Sequence, residues 1–487
     1  MARYPLIEEI SIPMSAAEVA RLFQGEHFGF FLDSGIDPEN LGRYSFIGSN
    51  PFMILKSRGQ ELALIGTQGK RIIQGNPFDV TDELLKEYSL DGADAPTPFV
   101  GGAVGYFSYD LCHFIECLPS KAVDDLNLPE CFLAFYDSTL TFDHLEGKVY
   151  IASSGFPEQD EDKRLQRAAR RIQDLRDKIH DRALKPGSHY RPYSRSTVSA
   201  ESTEATAARL RSTFSPQEYI RTVETVRGYI AAGDIFQVNL SQRFEADLTI
   251  TPYQLYERLR HINPAPFAAY LNFDEVKVVS ASPERFLKVS GDRVETRPMK
   301  GTRPRGAYAE EDEALAKELL DSVKDRAENV MIVDLERNDL GRVCRFGTVK
   351  VEELWTLEKY ATVFQLTSTV EGRLRQGYNR IDLLKACFPG GSITGAPKVR
   401  SMEIIDELEP TRRSVYTGAL GYLSFDGEMD LSIAIRTILV KDGRAYFQVG
   451  GGIIYDSNPV AEYEETMDKA KALFLSLGLS PRMEVPV

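Results

Sequence analysis

Three runs decide the fold of this chain: Gly418-Ala-Leu-Gly-Tyr-Leu-Ser-Phe425, Leu431-Ser-Ile-Ala-Ile-Arg-Thr-Ile-Leu-Val440 and Ala445-Tyr-Phe-Gln-Val449. They read as consecutive strands of one sheet, with no helical segment between them. Strands joined by short links pair antiparallel, because a parallel partner needs a long crossover. Working outward, Gln237 to Phe244 and Lys277 to Ser280 alternate as strands. Ala309 to Val330, Arg380 to Cys387, Val399 to Leu408 and Val460 to Leu477 read as helices. Ser215-Pro216 with Glu218 supplies an N-cap, a proline at the first helical position and an acid at the third. That helix runs to Ala232 and stops at Gly233. A large antiparallel sheet with helices around it belongs to the α+β class, not to doubly wound parallel sheets.

The N-terminal part is mostly short strands: Phe28 to Asp33, Tyr44 to Gly48, Phe52 to Lys56, Leu62 to Ile65 and Val149 to Ala152. A charged helix from Glu158 to Leu184 follows, with Glu161 close to Arg164 on its face. Lys185 to Ser212, rich in Ser, Thr, Arg and Ala, reads as an exposed linker. The division is therefore 1–153, a charged helix and linker over 154–213, and a third region over 214–487. At 487 residues the chain is long enough for two or three domains or one large composite one. A net charge of −14 argues against a general nucleic-acid or membrane-surface binder. No apolar run approaches the roughly 20 residues that cross a bilayer. Five scattered cysteines and six scattered histidines fit reduced thiols in a cytoplasmic protein better than a disulfide or zinc framework.

Against that acidic balance stands Arg297-Pro-Met-Lys300-Gly-Thr302-Arg-Pro-Arg-Gly306. Proline and glycine exclude an amphipathic helix here. Either this is a solvated basic turn, or Lys300 lies in a cationic field from its neighbouring arginines that favours a neutral, nucleophilic amine. Asp325 and Glu328, and again Glu462 and Glu465, are spaced so that each predicted helix offers two carboxylates on one face. They are solvated faces or an oxygen-only site of the kind that suits Mg²⁺. Pro389-Gly-Gly-Ser-Ile-Thr394-Gly-Ala-Pro-Lys398 leads into a helix, an arrangement that receives an anion without being a Walker A loop. Gly450, Gly451 and Gly452 follow a strand and permit close backbone approach. Arg436 sits in the apolar run Leu431 to Val440, where a charge needs a buried partner, structural or ligand, and Tyr416 offers a hydroxyl nearby. Glu284, after an apolar strand, reads as a general acid if it is buried.

Together these pieces resemble the chorismate-binding superfamily, which holds the large subunits of anthranilate and aminodeoxychorismate synthases with isochorismate and salicylate synthases. The resemblance rests on Ile235-Phe-Gln237-Val-Asn-Leu-Ser241, Ser282-Pro-Glu284, Lys300-Gly-Thr-Arg-Pro304, Asp334-Leu-Glu-Arg-Asn-Asp-Leu340, Gly395-Ala-Pro-Lys398 and Gln448-Val-Gly-Gly-Gly452. It implies two stacked antiparallel sheets flanked by helices, with the active site between them. It also implies Mg²⁺ held by Glu328 and Glu465, with Glu462 and Asp325 in support. Arg436, Tyr416 and the backbone around Thr394 and Gly450 to Gly452 would hold chorismate's carboxylates, with Lys398, Gln237 and Thr302 in the same pocket. Glu284 would protonate the departing C4 hydroxyl. Phe31-Leu-Asp-Ser34 is similar to the family's tryptophan-binding segment, so Ser34 is expected at a tryptophan pocket.

Within the family, water-using members carry a lysine where this chain has Gln237. Anthranilate synthases usually have a small residue where this chain has Lys300. Lys300 therefore resembles the aminodeoxychorismate synthase branch, in which the lysine is a proposed covalent nucleophile. Gln365 stands where many relatives have a histidine linked to pyruvate loss, which points the same way. The chain shows no glutaminase signature, so a separate glutamine amidotransferase subunit is expected to deliver ammonia. The neighbouring readings are an anthranilate synthase large subunit and a tryptophan-binding regulatory subunit without chemistry.

Overall fold

The computed structural model describes residues 3–480 except 35, 38, 40, 68, 92–94, 184–209, 307 and 361–362. Two sheets of twelve strands each, antiparallel throughout, form its centre. One sheet runs through Tyr44–Gly48, Phe30–Asp33, Phe267–Asn272, Lys277–Ser282, Thr437–Lys441, Arg444–Ile453 and Gln237–Asp247 as successive neighbours. The other runs through Met299–Pro304, Val363–Arg373, Arg293–Thr296, Arg285–Ser290, Met429–Ile433, Ala419–Ser424 and Gly102–Phe107. The sheets stack on a shared aromatic and aliphatic layer that includes Phe30, Phe46, Tyr106, Leu271 and Tyr422, all buried. Helices cover both outer faces, so the layers run helix, sheet, sheet, helix, as the α+β reading requires.

In each sheet the strands before residue 154 form one block and the strands from residue 210 onward another, and the two blocks meet at a single pairing. Phe30–Asp33 is bonded to Phe267–Asn272, and Gly102–Phe107 to Ala419–Ser424. The division drawn at 154–213 thus falls between two stretches that complete one another's hydrogen bonding. The charged helix spans Glu161–Ala183, with Glu161 bonded to Arg164 at 2.8 Å. The expected linker lies outside the described residues up to 209. Its last part, Leu210–Ser212, is a strand, paired with Phe244–Ala246. The helix expected over Ala309 to Val330 is two helices, Ala309–Asp321 and Val323–Gly341, parted by an extended Ser322 whose side chain caps the second through the Asp325 amide.

The run Leu431 to Val440 is not one strand. Met429–Ile433 belongs to one sheet and Thr437–Lys441 to the other, and the chain crosses between them at Ala434 to Arg436. Arg436 takes a left-handed backbone conformation (φ 51°), uncommon for a residue with a Cβ. Beside it, Pro283 and Glu284 make a second crossing between Lys277–Ser282 and Arg285–Ser290. The two crossings are laced together: Ser282 Oγ donates to the Ile433 carbonyl at 2.6 Å, the Ile433 amide to the Glu284 carbonyl at 3.1 Å, and the Ala281 amide to the Arg436 carbonyl at 3.1 Å. Uniform apolarity hid this break, because both halves of the run are buried.

The layer between the sheets is buried from both sides. Leu271→Ala, at a fully buried position in that layer, is expected to cost about 2–5 kcal/mol in chemical denaturation. Ile72→Ala, on an exposed outer strand, should stay within about 0.5 kcal/mol.

Candidate active site

The laced crossings put Glu284 in the space between the sheets. Its carboxyl is buried and accepts from Ser392 Oγ at 2.6 Å and from the Met299 amide. Burial pushes this acid up to about 7, against the Ser392 hydrogen bond and the charge of Lys300. Lys300 approaches from the edge strand Met299–Pro304. A bulge there lets Lys300 face Leu366 and Thr302 face Gln365, with Gly301 as the extra residue at φ 80°. A Cβ on Gly301 would meet Leu319 at 2.8 Å and Asp325 at 3.0 Å, so only glycine lets the strand lie this close to the helices. Lys300 Nζ donates to the Ser392 carbonyl at 3.2 Å. Ser392 therefore joins the lysine, through its carbonyl, to the acid, through its hydroxyl.

Gln237 and Gly452 close the other side. A Cβ on Gly452 would lie 2.5 Å from Gln237 Nε2 and 3.5 Å from Lys300 Nζ. Gln237 is fully buried, and neither its amide nitrogen nor its oxygen has a hydrogen-bond partner among the described residues. Such an amide is costly unless a ligand or water completes it. The Lys300 ammonium is lowered by burial, helped by the Lys469 charge and opposed by Glu328, Glu284 and Glu465. The expected source of this shift is corrected: Arg297 is committed to Glu358 and Glu353, and Arg303 to Glu318 and Asp325. Paired arginines exert little net field on a neighbour.

The acids behave unequally. Burial raises Glu328 and Glu462, whereas Lys469, bonded to Glu465 at 2.6 Å, lowers Glu465. Glu462 also accepts from Ser457 at 2.6 Å, and Lys324 lies 3.8 Å from Glu328. A Cβ on Gly451 would come within 3.3 Å of Glu462 and 3.6 Å of Glu465, so both acids converge on the glycine run. Asp325 is held by Arg303 at 3.1 Å. No three of these groups stand at metal-ligating distance among the described residues, and the ammonium groups of Lys324 and Lys469 lie among them. The donor set is nevertheless oxygen-only, from acids on two helices that sense one another's charge, and this fits a hard divalent cation.

Arg436, expected as either a structural ion pair or a ligand group, makes no ion pair among the described residues. Its Nη1 donates to the Lys469 carbonyl at 2.6 Å, and burial lowers its proton affinity, offset by Tyr416 and Glu465. A half-buried guanidinium without a counter-anion is prepared for a carboxylate. Burial raises the Tyr416 hydroxyl in turn. The remaining expected binding groups are arranged differently. Thr394 spends its hydroxyl on the Gly390 carbonyl at 2.9 Å, Lys398 bonds Asp339 at 2.5 Å and the Cys387 carbonyl at 3.0 Å, and Thr302 is exposed.

Sequence reading missed Arg413. Its guanidinium pairs with Glu409 at 2.7 Å and donates to the Asn239 carbonyl at 2.7 Å and the Ile393 carbonyl at 2.9 Å. It also lies over the Tyr109 and Tyr416 rings. Both members of the pair are almost completely buried. One cation thus ties the strand of Gln237, the turn of Ser392 and the segment of Tyr416 together. The four-residue spacing from Glu409 was the available signal, but Pro410 disguises it.

Ser34 lies elsewhere. Its hydroxyl donates to the Pro266 carbonyl at 2.7 Å, on the wall of a cavity of about 510 Å³ between the sheets. Tyr44, Phe46, Phe267 and Tyr422 make that cavity aromatic, while Arg285 and Asp430 give it charge.

The profile of the chorismate binding enzyme family matches residues 44–475, and the chain belongs to that family. Anthranilate synthase component 1 of Acetivibrio thermocellus is 41% identical over 92% of this chain and 90% of its own length. Aminodeoxychorismate synthase component 1 of Bacillus subtilis is 38% identical, covering 90% of each. A crystal structure of anthranilate synthase component I from Streptococcus pneumoniae matches with TM-score 0.76 and 35% identity, over 88% of this chain and 91% of that one. The protein is thus a chorismate-utilising enzyme of the anthranilate synthase and aminodeoxychorismate synthase group. No helix of the described residues is long and apolar enough to cross a membrane.

Arg413→Met strands the Glu409 carboxylate in the interior and is expected to cost about 3–5 kcal/mol. Pairing it with Glu409→Leu should recover much of that loss in denaturation, while KM stays raised because the three segments remain untied.

Proposed function

We propose that the chain is the synthase component of an aminodeoxychorismate synthase, replacing the C4 hydroxyl of chorismate by an amine. Ammonia would come from a glutamine amidotransferase partner, and the product would lead to 4-aminobenzoate and folate. Lys300 carries the reading. Its burial-lowered amine, the unpartnered Gln237 amide and the Ser392 link to Glu284 supply a nucleophile and an acid in one pocket.

In this reading the neutral Lys300 amine attacks C2 of chorismate as the C4 hydroxyl departs, and Glu284 gives that hydroxyl its proton. Ammonia then adds at C4 and the lysine leaves from C2. The proton lost by the incoming ammonia balances the one taken by the departing hydroxyl, so the cycle closes without external acid. Arg436, Tyr416 and the backbone around Thr394 and Gly450 to Gly452 hold the two substrate carboxylates. Glu328 and Glu465, supported by Glu462 and Asp325, would bind Mg²⁺, which when bound neutralises a substrate carboxylate. Gln237, lacking an amine base, orients the nucleophile without ionising water. The cavity at Ser34 is assigned to tryptophan, whose indole suits its aromatic wall. Equilibrium dialysis with labelled tryptophan tests that assignment.

A second reading, an anthranilate synthase large subunit, is favoured by the 41% identical relative of that name. Product identity separates the two. Purified protein with chorismate, Mg²⁺ and ammonium should give a product that a lyase converts to 4-aminobenzoate, and direct anthranilate fluorescence would sink the first reading. Lys300→Ala should lower turnover by about 10²-fold or more.

Glu284 also sets pH dependence. Its folded-state value of about 7 lies above its ordinary value of 4.5, so the native protein holds this proton more tightly than the unfolded chain. Its contribution to stability is complete below about 4.5 and is lost as pH rises through about 7. Turnover needing the protonated acid falls over the same upper range. Glu284→Gln should lower kcat by about 10²–10⁴-fold, measured alongside wild type from pH 5 to 9.

A further inference from the structure

Three polar side chains share one face of the strand Gln237–Asp247. Alternation sends Val238 and Leu240 towards the helices, into the buried cluster that holds Tyr219 and Val223, and sends Gln237, Asn239 and Ser241 to the opposite side. Ser241 is matched by protein, its hydroxyl donating to Glu409 at 2.8 Å. Gln237 and Asn239 are not. Asn239 is 8% exposed, and its Oδ1 is buried with no hydrogen-bond partner among the described residues. The chemistry above employs Gln237 and leaves Asn239 unused.

The backbone of Asn239 is pinned from two directions. Its amide donates to the Thr394 carbonyl at 2.7 Å, and its carbonyl accepts from Arg413 at 2.7 Å. In front of the side chain lies the space left by the glycine run. A Cβ on Gly450 would come 3.0 Å from Asn239 Oδ1, just as one on Gly452 would come 2.5 Å from Gln237 Nε2 and 3.5 Å from Lys300 Nζ. The two amides therefore line one pocket floor. Gln237 is at the Lys300 end, and Asn239 is two residues, roughly 7 Å, farther along the strand. At that farther end Arg413 lies over the Tyr416 ring, and Tyr416 and Arg436 act on each other's charge.

The connectivity of chorismate decides what reaches Asn239. Lys300 meets C2, and Glu328 and Glu465 act on the Lys300 charge. The carboxylate those acids serve is thus the one on C1, next to C2. The other neighbour of C2 is C3, which bears the enolpyruvyl ether, and the carboxylate of that arm is left for Arg436 and Tyr416. The arm offers only acceptors, an ether oxygen and a carboxylate. An asparagine presents its NH₂ to them by a half-turn of its terminal bond, and a hydrogen bond to a carboxylate is of the stronger, charge-assisted kind.

We propose that Asn239 is a substrate-binding residue that reads the enolpyruvyl arm of chorismate, its side-chain amide donating to the arm while Arg436 and Tyr416 hold the arm's far end. The inference rests on the placement of chorismate in the function proposed above.

The test is chorismate binding to the full-length protein by calorimetry, with Mg²⁺ and no ammonia source, beside kcat and KM with ammonium added. Asn239→Leu keeps the volume and removes the polar atoms. Its Kd and KM for chorismate should rise about 10-fold or more with kcat little changed. Its denaturation midpoint should hold or rise, because a buried atom without a partner has gone. Asn239→Asp sets an anion beside the arm's carboxylate and should bind more weakly than the leucine variant. A structural role gives a lower midpoint with Kd unchanged, and that result overturns the inference. Should Asn239→Leu fail to fold, an unchanged Kd in Asn239→Ser, whose shorter side chain draws back from the pocket, overturns it equally. A crystal structure of Lys300→Ala with chorismate should show Asn239 about 3 Å from an oxygen of the arm, and contact with the ring alone counts against the proposal. Weakened binding in a protein that releases anthranilate would overturn the C4 amination and still support Asn239. Unchanged binding in one that forms the C4-aminated product overturns Asn239 alone.

Discussion

The chain must pass from one sheet to the other at two adjacent points, and the site is made from those passages. A strand leaving its sheet gives up ladder hydrogen bonds, and the freed groups need partners. At Ser282 to Arg285 and Ile433 to Thr437 they find one another, through Ser282 Oγ, the Ile433 amide and the Ala281 amide. The Thr417 amide adds a bond to the Ala434 carbonyl at 2.9 Å. Side chains at the crossings face neither outer layer, so Glu284 and Arg436 can occupy an interior that regular alternation would fill with aliphatic groups. The cost is local backbone strain. Ser414, Thr417 and Arg436 all hold left-handed conformations, of order 1 kcal/mol or more apiece for residues with a Cβ.

That strain is contained by Arg413. A guanidinium this deep is unfavourable by itself, and Glu409 with the Asn239 and Ile393 carbonyls offsets its desolvation. The pair does more for geometry than for net stability, because hydrophobic replacements of equal volume would also fill the space. What they would not do is fix the distance between Gln237, Ser392 and Tyr416. Charge in the pocket follows the same logic. Burial drives both Glu284 and Lys300 towards their neutral forms, raising the acid and lowering the amine.

Much of the architecture was legible in periodicity and caps. Tyr44–Gly48 and Arg380–Cys387 lie where alternation and apolar spacing put them, and Ser215 with Pro216 and Glu218 marks its helix start as a capping box. What alternation does not encode is which sheet a strand joins. Leu431 to Val440 is apolar throughout, because both of its halves are buried, and nothing in the run announces the turn at Arg436. The break at Ser322 was hidden in the same way by continuous helix-forming residues on both sides. At the site, residue types were readable and pairings were not. Arg297 and Arg303 look like a field acting on Lys300 until their own glutamate partners are seen. Lys398 looks like an anion ligand until it is found on Asp339. Ser392 and Arg413 act through contacts more than ninety and one hundred and seventy positions away, respectively, which local spacing cannot carry.

The joining of an early and a late block of strands in each sheet has a consequence for synthesis. When Phe30–Asp33 emerges from the ribosome, its hydrogen-bonding neighbour Phe267–Asn272 has not been translated, and Gly102–Phe107 waits still longer for Ala419–Ser424. The nascent N-terminal third therefore carries open, aromatic strand edges for most of elongation, the condition in which strands pair with the wrong partner. Vectorial folding cannot finish this protein piece by piece. Its native sheets are complete only when nearly the whole polypeptide is available.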